Sequence, residues 1–473
     1  MPETLNPLSP GDPSVPGGPP PEPPSVLRQT VGEITQPFID LFRASRALWG
    51  INVSYLLEGL TYFGVVGLLA IFFNDYIGLD DISAGQMVGF LTAGITLGML
   101  LLGATVDIFG PRKALLLSLS LMLVGRVLLT LSPDLGTKGL WSSSHLLAMG
   151  GLLGIVAGYG IYQPACYAAV RQFTTVKTAA MGYAMLYALM NLGGFLPGLI
   201  SPPVRKGFGI TGVFWVYVAL TVAGILVIAV LLTRKAITEA EAEASKDKNE
   251  PPEDKKTLKE QISFYLKNFP LKDARFMFFI FALIPVQTLF AHNWLTLPQY
   301  CHRAFTGLVS DNFEFFVNFS PILIFILTPV VTALTSKKDT YMMMIAGTFV
   351  MGAPAFILAL GPSMTTLFAY LILTTIGEAM WSARFLQWVA EIAPKNMTGI
   401  YMGIGQFPWF LTKVITSMYS GWFLMHYCPA GVPPEQMHTE TMWFIYGVIA
   451  VMSPVALILA RKWMKKGFRE RAA

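Results

Sequence analysis

Apolar stretches long enough to cross a bilayer recur about twelve times along this chain, and one long polar segment divides them six and six. A helical crossing takes about 20 predominantly apolar residues. Such runs stand near residues 48–73, 85–106, 113–132, 145–170, 178–200 and 211–233, and again near 275–298, 314–335, 341–360, 365–392, 398–426 and 441–462. In lipid every backbone polar group must be satisfied within the structure, so runs of this length and number predict helices rather than strands. The expected fold is therefore an all-α membrane protein of about twelve helices in two pseudo-symmetric six-helix bundles, the layout of secondary transporters. A chain that is 54% hydrophobic and 13% charged is not a soluble enzyme or a nucleic-acid binder.

The charged residues gather between the spans and report orientation. Arg43 and Arg46 precede the first span, Arg112 and Lys113 follow the second, Arg171 and Lys177 the fourth, Lys395 the tenth, and Arg461, Lys462, Lys465 and Lys466 the last. Both termini and the central linker are therefore expected to be cytoplasmic, with the chain a multi-pass protein of the cell (inner) membrane. The expected organisation is a disordered Pro-rich tail over 1–26, an amphipathic interfacial segment or ordinary lead-in over 27–47, bundles over 48–234 and 275–465, a cytoplasmic linker over 235–274, and a basic tail over 466–473. Three cysteines without CxxC spacing, and no His/Cys cluster, predict neither a disulfide scaffold nor a metal site, and no cofactor is expected. Cys301 and Cys428 both fall at the non-cytoplasmic ends of spans, where either a disulfide or two free thiols could form. A monomer is expected, with the lipid bilayer, protons and a small molecule as partners.

Charges inside spans demand a reason, because each costs roughly 2.5–3.5 kcal/mol at the bilayer centre by insertion scales. Glu58 lies in the first span, and Glu378, Arg384 and Glu391 lie in the tenth. Such groups usually face a protein interior or an aqueous path. Gln287, His292, Asn293 and Trp294 add polarity to the seventh span, where His292 has a packing role as its simpler reading. Trp294, Trp381, Trp388 and Trp409 are expected mostly at the lipid face or interface.

Sequence motifs carry a resemblance. The tenth span, TIGEAMWSARFLQWVAEIAP, is similar through Gly377, Glu378, Ser382, Ala393 and Pro394 to the pattern GExxxSPxGLSxxxxLAP. The first span aligns Tyr62, Phe63 and Gly64 on the end of ExxERFxYY, which puts Glu58 on its second glutamate, Tyr55 on its first and Gly59 on its arginine. GYGIYQPACYAAVRQF in the fourth span keeps Gly158, Gly160, Pro164, Gln172 and Phe173 of GxGxxKPxxxxxxxxQF, with Gln163 in place of lysine. The fifth span resembles FYxxINxGSLxxP through Tyr187, Asn191, Gly193 and Pro197, and the eighth resembles NPxxIxxxxP through Pro321, Ile324 and Pro329. These are patterns of the proton-dependent oligopeptide transporter family. GATVDIFGPRKAL, residues 103–115, resembles the loop signature of its superfamily, the major facilitators, at Gly103, Asp107, Gly110, Arg112 and Lys113.

The resemblance implies proton-coupled symport of small peptides or peptide-like, amine-bearing solutes by alternating access. It implies Glu378 as the group that receives the substrate's amino end, with Asn191, Tyr62, Gln163, Tyr187 and Gln287 as further substrate-binding candidates. Glu58 and Glu378 become the proton-coupling candidates, and Gly103 to Lys113 a cytoplasmic latch. The basic groups that the motifs place for a carboxylate are absent at Gly59 and Gln163, so the amine end is expected to dominate recognition, with Arg126 or Arg384 as substitute partners. The same loss leaves Glu58 without the motif's cationic neighbour. Two other readings remain open at this point: a transporter of another organic solute without proton coupling, and a transport-inactive sensor or scaffold.

Overall fold

The computed structural model describes residues 45–174, 179–245, 272–335, 338–392, 404–405 and 407–472. Among them every regular element is helical. The N-terminal half contains α1 (Arg46–Phe72), α2 (Asp81–Leu102), α3 (Pro111–Leu131), α4 (Ser143–Phe173), α5 (Ala179–Phe195) and α6 (Pro197–Leu231). The C-terminal half contains α7 (Ala274–Leu295), α8 (Phe319–Thr335), α9 (Thr340–Leu358), α10 (Met364–Ile392), α11 (Phe407–Tyr427) and α12 (Thr439–Ala472). Among the described residues nine stretches are long and apolar enough to cross a membrane, one of them, Met185–Leu231, carrying most of α5 and all of α6. α8 and α11 fall outside those nine, α11 because Thr412, Lys413, Thr416, Ser417 and Ser420 interrupt its apolar run.

Short polar side chains start the helices where the apolar runs begin. Ser45 caps α1, Asp80 caps α2, Ser142 caps α4, Asp273 caps α7 and Asp339 caps α9, each accepting a hydrogen bond from a first-turn N–H that would otherwise be orphaned. Gly110 adopts φ 75° before Pro111, so the α2–α3 connection needs a residue without a side chain. Gly209, at φ 68°, breaks α6 into two helical pieces.

Within the first bundle, Gly151, Gly154 and Gly158 of α4 face α3, and a Cβ on Gly125 would lie 2.5 Å from the Gly151 carbonyl oxygen. That backbone approach is the small-residue packing that membranes favour, where helices gain little from apolar contact alone. The two bundles meet along two seams, α2 against α11 and α5 against α8. We call distal the end that carries the α1–α2, α5–α6, α7–α8 and α11–α12 connections, and proximal the end from which α1 starts. Gly421 packs so tightly on the start of α2 that a Cβ there would lie 2.3 Å from the Asp81 carbonyl, and Gly89 meets Ser417 further along the same seam.

One expectation, the lipid-facing placement of the tryptophans, is corrected, and of the two states left open for the cysteines the free one is found. Trp381, Trp388 and Trp294 are buried in the bundle interior rather than at the lipid face, and Phe279 packs on Trp388 at 3.8 Å between ring centroids. Cys301 and Cys428 are free, buried thiols. The first part of the expected linker, Arg234–Ser245, is a helix held to α4 by a hydrogen bond from Gln172 to Glu241. The tail over 1–26 and most of the 27–47 segment lie outside the described residues.

Candidate functional site

The glycine packing of α3 on α4 brings Arg126, the residue after Gly125, into the heart of the first bundle. Its guanidinium grips Glu58 with both nitrogens, Nη1 donating to Oε2 at 2.9 Å and Nη2 to Oε1, and Nη1 also donates to the Thr221 hydroxyl of α6 at 2.6 Å. Both side chains are 2% exposed. The cation that Gly59 removes from α1 is thus supplied by α3, and Arg126 is a partner of Glu58 rather than a free carboxylate receptor. The Tyr159 hydroxyl donates to the Glu58 carbonyl at 3.4 Å, tying α4 to the same point. A buried pair of this kind is costly to break by removing one member, because the other charge is then left uncompensated.

From this pair an arc of rings crosses between the bundles. Tyr159 packs on Tyr62, Tyr62 edges against Phe63, Phe63 faces Trp294, and Phe290 lies between Trp294 and Trp409. Trp409 then stacks on Trp381 at 6.0 Å and 16° between planes. One helical turn from Trp381 stands Glu378, half-buried and with no salt-bridge partner among the described residues. Across the α5–α8 seam the Tyr187 phenol lies near Glu378, Asn191 and Thr328. Glu378, Tyr187 and Asn191 are therefore brought together, and Tyr62 joins them through the aromatic arc. Asn191 donates to the Tyr187 carbonyl at 2.9 Å, a bond within its own helix rather than a cross-link between helices.

The remaining candidates lie elsewhere. Gln163 sits half-buried beside Tyr55 in the first bundle. Gln287 is fully enclosed in the second bundle, its oxygen accepting from Thr412 at 3.3 Å. His292 is buried between Thr296 and Tyr419 and stacks on Tyr446 at 3.8 Å, a packing role. Arg384 reaches Thr335 of α8 at 3.4 Å. Lys413 donates to Thr96 and to the Thr92 carbonyl of α2, across the other seam. Glu391, the last charge of the tenth span, has a side chain outside the described residues. In the loop signature, Arg112 donates to the Ala229 carbonyl of α6 at 3.2 Å, while Asp107 and Lys113 are exposed and Gly103 packs on Pro164.

Polar contacts between the bundles gather at the distal end. Arg303 holds Asp81 with two bonds of 2.7 Å, Arg205 pairs with Glu314, Lys206 donates to Asn312 at 3.1 Å, and Gln299 donates to Asn74 at 2.6 Å. The distal ends of the bundles are closed on one another.

This arrangement has close counterparts among known proteins. The chain is 22% identical over 447 residues to dipeptide and tripeptide permease A of Proteus mirabilis (strain HI4320), spanning 82% of this chain and 87% of that one. Its fold superposes on a peptide transporter POT solved in complex with alafosfalin, at a TM-score of 0.69 and 15% identity over 89% of this chain and 95% of that one. It superposes comparably on the POT family transporter PepTSo, with a TM-score of 0.68 and 17% identity over 89% and 99% of the two chains. The model of the Major Facilitator Superfamily matches residues 51–417, most of the chain, and the protein is a member of that superfamily.

Proposed function

We propose that this protein is a secondary transporter that carries small peptides or peptide-like, amine-bearing solutes together with protons, by rocking its two bundles around a site at their midplane. The observation that carries the reading is Glu378, a half-buried carboxylate with no cationic partner among the described residues, beside Tyr187, Asn191 and the aromatic arc where the bundles meet. A carboxylate so placed can be neutralised by a proton or by an ammonium group. That competition links proton occupancy to substrate occupancy and so to closure of the bundles. The name of the Proteus permease and the fold shared with POT transporters support the same substrate class.

On this reading the distal end faces outward, both termini and the linker lie in the cytoplasm of a bacterial-type inner membrane, and the protein works as a monomer. Asp107, Gly110, Arg112 and Lys113 form the proximal latch, remade when the distal pairs release. Glu58 holds a different place from Glu378. Paired with Arg126 in the first bundle, it is the second coupling candidate, its pair opening and reforming as the bundles move. The experiment is uptake into proteoliposomes of labelled dialanine, with a panel of dipeptides, tripeptides, free amino acids and unrelated organic cations as competitors. Competition by di- and tripeptides supports the reading. Transport of another solute that no peptide inhibits would replace it.

A further inference from the structure

Arg126, Arg384 and Lys413 are basic residues of α3, α10 and α11, and the structure separates their duties. Arg126 is committed to Glu58 and Thr221, and Arg384 reaches α8. Lys413 differs from both. Its ammonium donates to the Thr96 hydroxyl at 3.2 Å and the Thr92 carbonyl at 3.4 Å, two long bonds to neutral oxygens, and no carboxylate among the described residues pairs with it. An ammonium carries three donors and is expensive to hold in a membrane interior without an anion.

Its place in the fold is specific. Along the α2–α11 seam, Gly421 meets Asp81 and Ile82, Ser420 meets Gly85, Ser417 meets Gly89, and Lys413 meets Thr92 and Thr96. The two helices are thus antiparallel, and Lys413 lies at the inner end of the stretch that is closed distally. The Trp381–Trp409 stack fixes its depth relative to Glu378. Glu378 precedes Trp381 by three residues on a helix running from the distal end, a rise of about 4.5 Å. Lys413 follows Trp409 by four residues on a helix running towards the distal end, a rise of about 6 Å. Both charges therefore stand on the distal side of one tryptophan pair, in one layer. Their neighbours differ: Glu378 lies beside the α5–α8 seam with Tyr187, and Lys413 lies on the α2–α11 seam with Thr92 and Thr96. A carboxylate and an ammonium, each without an opposite charge among the described residues, flank the two sides of one aromatic-floored layer.

We propose that Lys413 is the receptor for the carboxylate of a zwitterionic peptide whose amino group is held by Glu378, an assignment that rests on the peptide reading above. Recognition is then two-sided. The amine end does not dominate, because α11 supplies the cation that α1 and α4 lack. Each pole of the substrate bridges a charge of the second bundle to neutral hydrogen-bonding groups of the first, so occupancy draws both seams together.

The test compares dialanine with its C-terminal amide as inhibitors of labelled dialanine uptake, in wild type, Lys413→Gln and Lys413→Arg. In wild type the amide should inhibit at least tenfold more weakly than the free acid, as expected from losing a charge-assisted bond. In Lys413→Gln the two should converge, through weaker inhibition by the free acid alone, and Lys413→Arg should keep the preference. Since Lys413→Gln removes dialanine affinity, its uptake is measured at raised substrate concentration, and direct calorimetric binding of both ligands to the purified protein gives the same comparison without transport. A free-acid preference that survives intact in Lys413→Gln, or an equal loss for acid and amide, overturns the assignment while leaving peptide transport in place. Failure of wild type to bind either peptide removes the reading on which it rests.

Discussion

Arg303 and Asp81 join the two bundles through a pair of 2.7 Å bonds, each side chain less than a tenth exposed, at the distal end of the α2–α11 seam. Arg205 and Glu314 do the same beside the α5–α8 seam. Alternating access requires both pairs to separate in each cycle. Neutralising one member, as in Asp81→Asn, leaves a buried charge behind and costs about 3–5 kcal/mol in the closed form. Uptake should fall severalfold in Asp81→Asn and in Arg303→Gln, and the exchange Asp81→Arg with Arg303→Asp should recover part of it, as measured by initial uptake rates.

The Glu58–Arg126 pair is expected to be structural before it is mechanistic. Arg126→Met and Glu58→Met should each lower the melting temperature in detergent sharply, and the double substitution should be more stable than either. A double substitution as unstable as the sum of the singles would show that the two side chains do not act as a unit.

Gly421 tests whether the α2–α11 seam must close. A side chain there meets the Asp81 backbone at 2.3 Å, and backbone cannot step aside as a flexible side chain can. Gly421→Val should nearly abolish uptake while detergent-purified protein remains folded and monodisperse. Full uptake by that variant would mean the seam stays parted during transport.

His302 gives the distal end a pH signature. Burial holds its pKa below the ordinary value, Asp75 opposes that shift, and Arg205 and Arg303 add to it. With a lowered pKa in the folded protein, its contribution to stability is complete above about pH 6.5 and is lost as pH falls towards the lowered value. The melting temperature should therefore drop on acidification below pH 6.5, and His302→Gln should flatten that part of the profile. An unchanged slope in the variant would assign the acid sensitivity elsewhere.

Burial likewise pushes the Cys301 thiol well above its usual range and the Cys428 thiol up to about 12. Since the thiolate is the reactive form, both should resist alkylation in the folded protein and react fully after denaturation, as read by mass spectrometry. Recovery of a Cys301–Cys428 disulfide peptide from non-reduced protein would contradict the free state.

The spans were legible because hydrocarbon imposes a one-dimensional rule, apolar length. Glu378 stood out as a charge in an apolar run. What the sequence withheld was azimuth. Arg126 was visible as a cation in the third span, but only the Gly125–Gly151 contact turns it towards Glu58 instead of the substrate. Trp381 and Trp388 suit an interface by composition, yet they face inward because α10 packs between other helices of its bundle. The α2–α11 seam, which leaves Lys413 facing the neutral oxygens of Thr92 and Thr96, could not be read from the sequence.

The account depends most directly on Glu378. The measurement is dialanine accumulation in proteoliposomes with an imposed inward proton gradient, comparing wild type with Glu378→Gln and including uncoupler controls. The account predicts gradient-driven accumulation by wild type that the uncoupler abolishes, and loss of that accumulation in Glu378→Gln with dialanine binding weakened at least tenfold. Accumulation by Glu378→Gln that still follows the proton gradient and still binds dialanine as wild type does would contradict it.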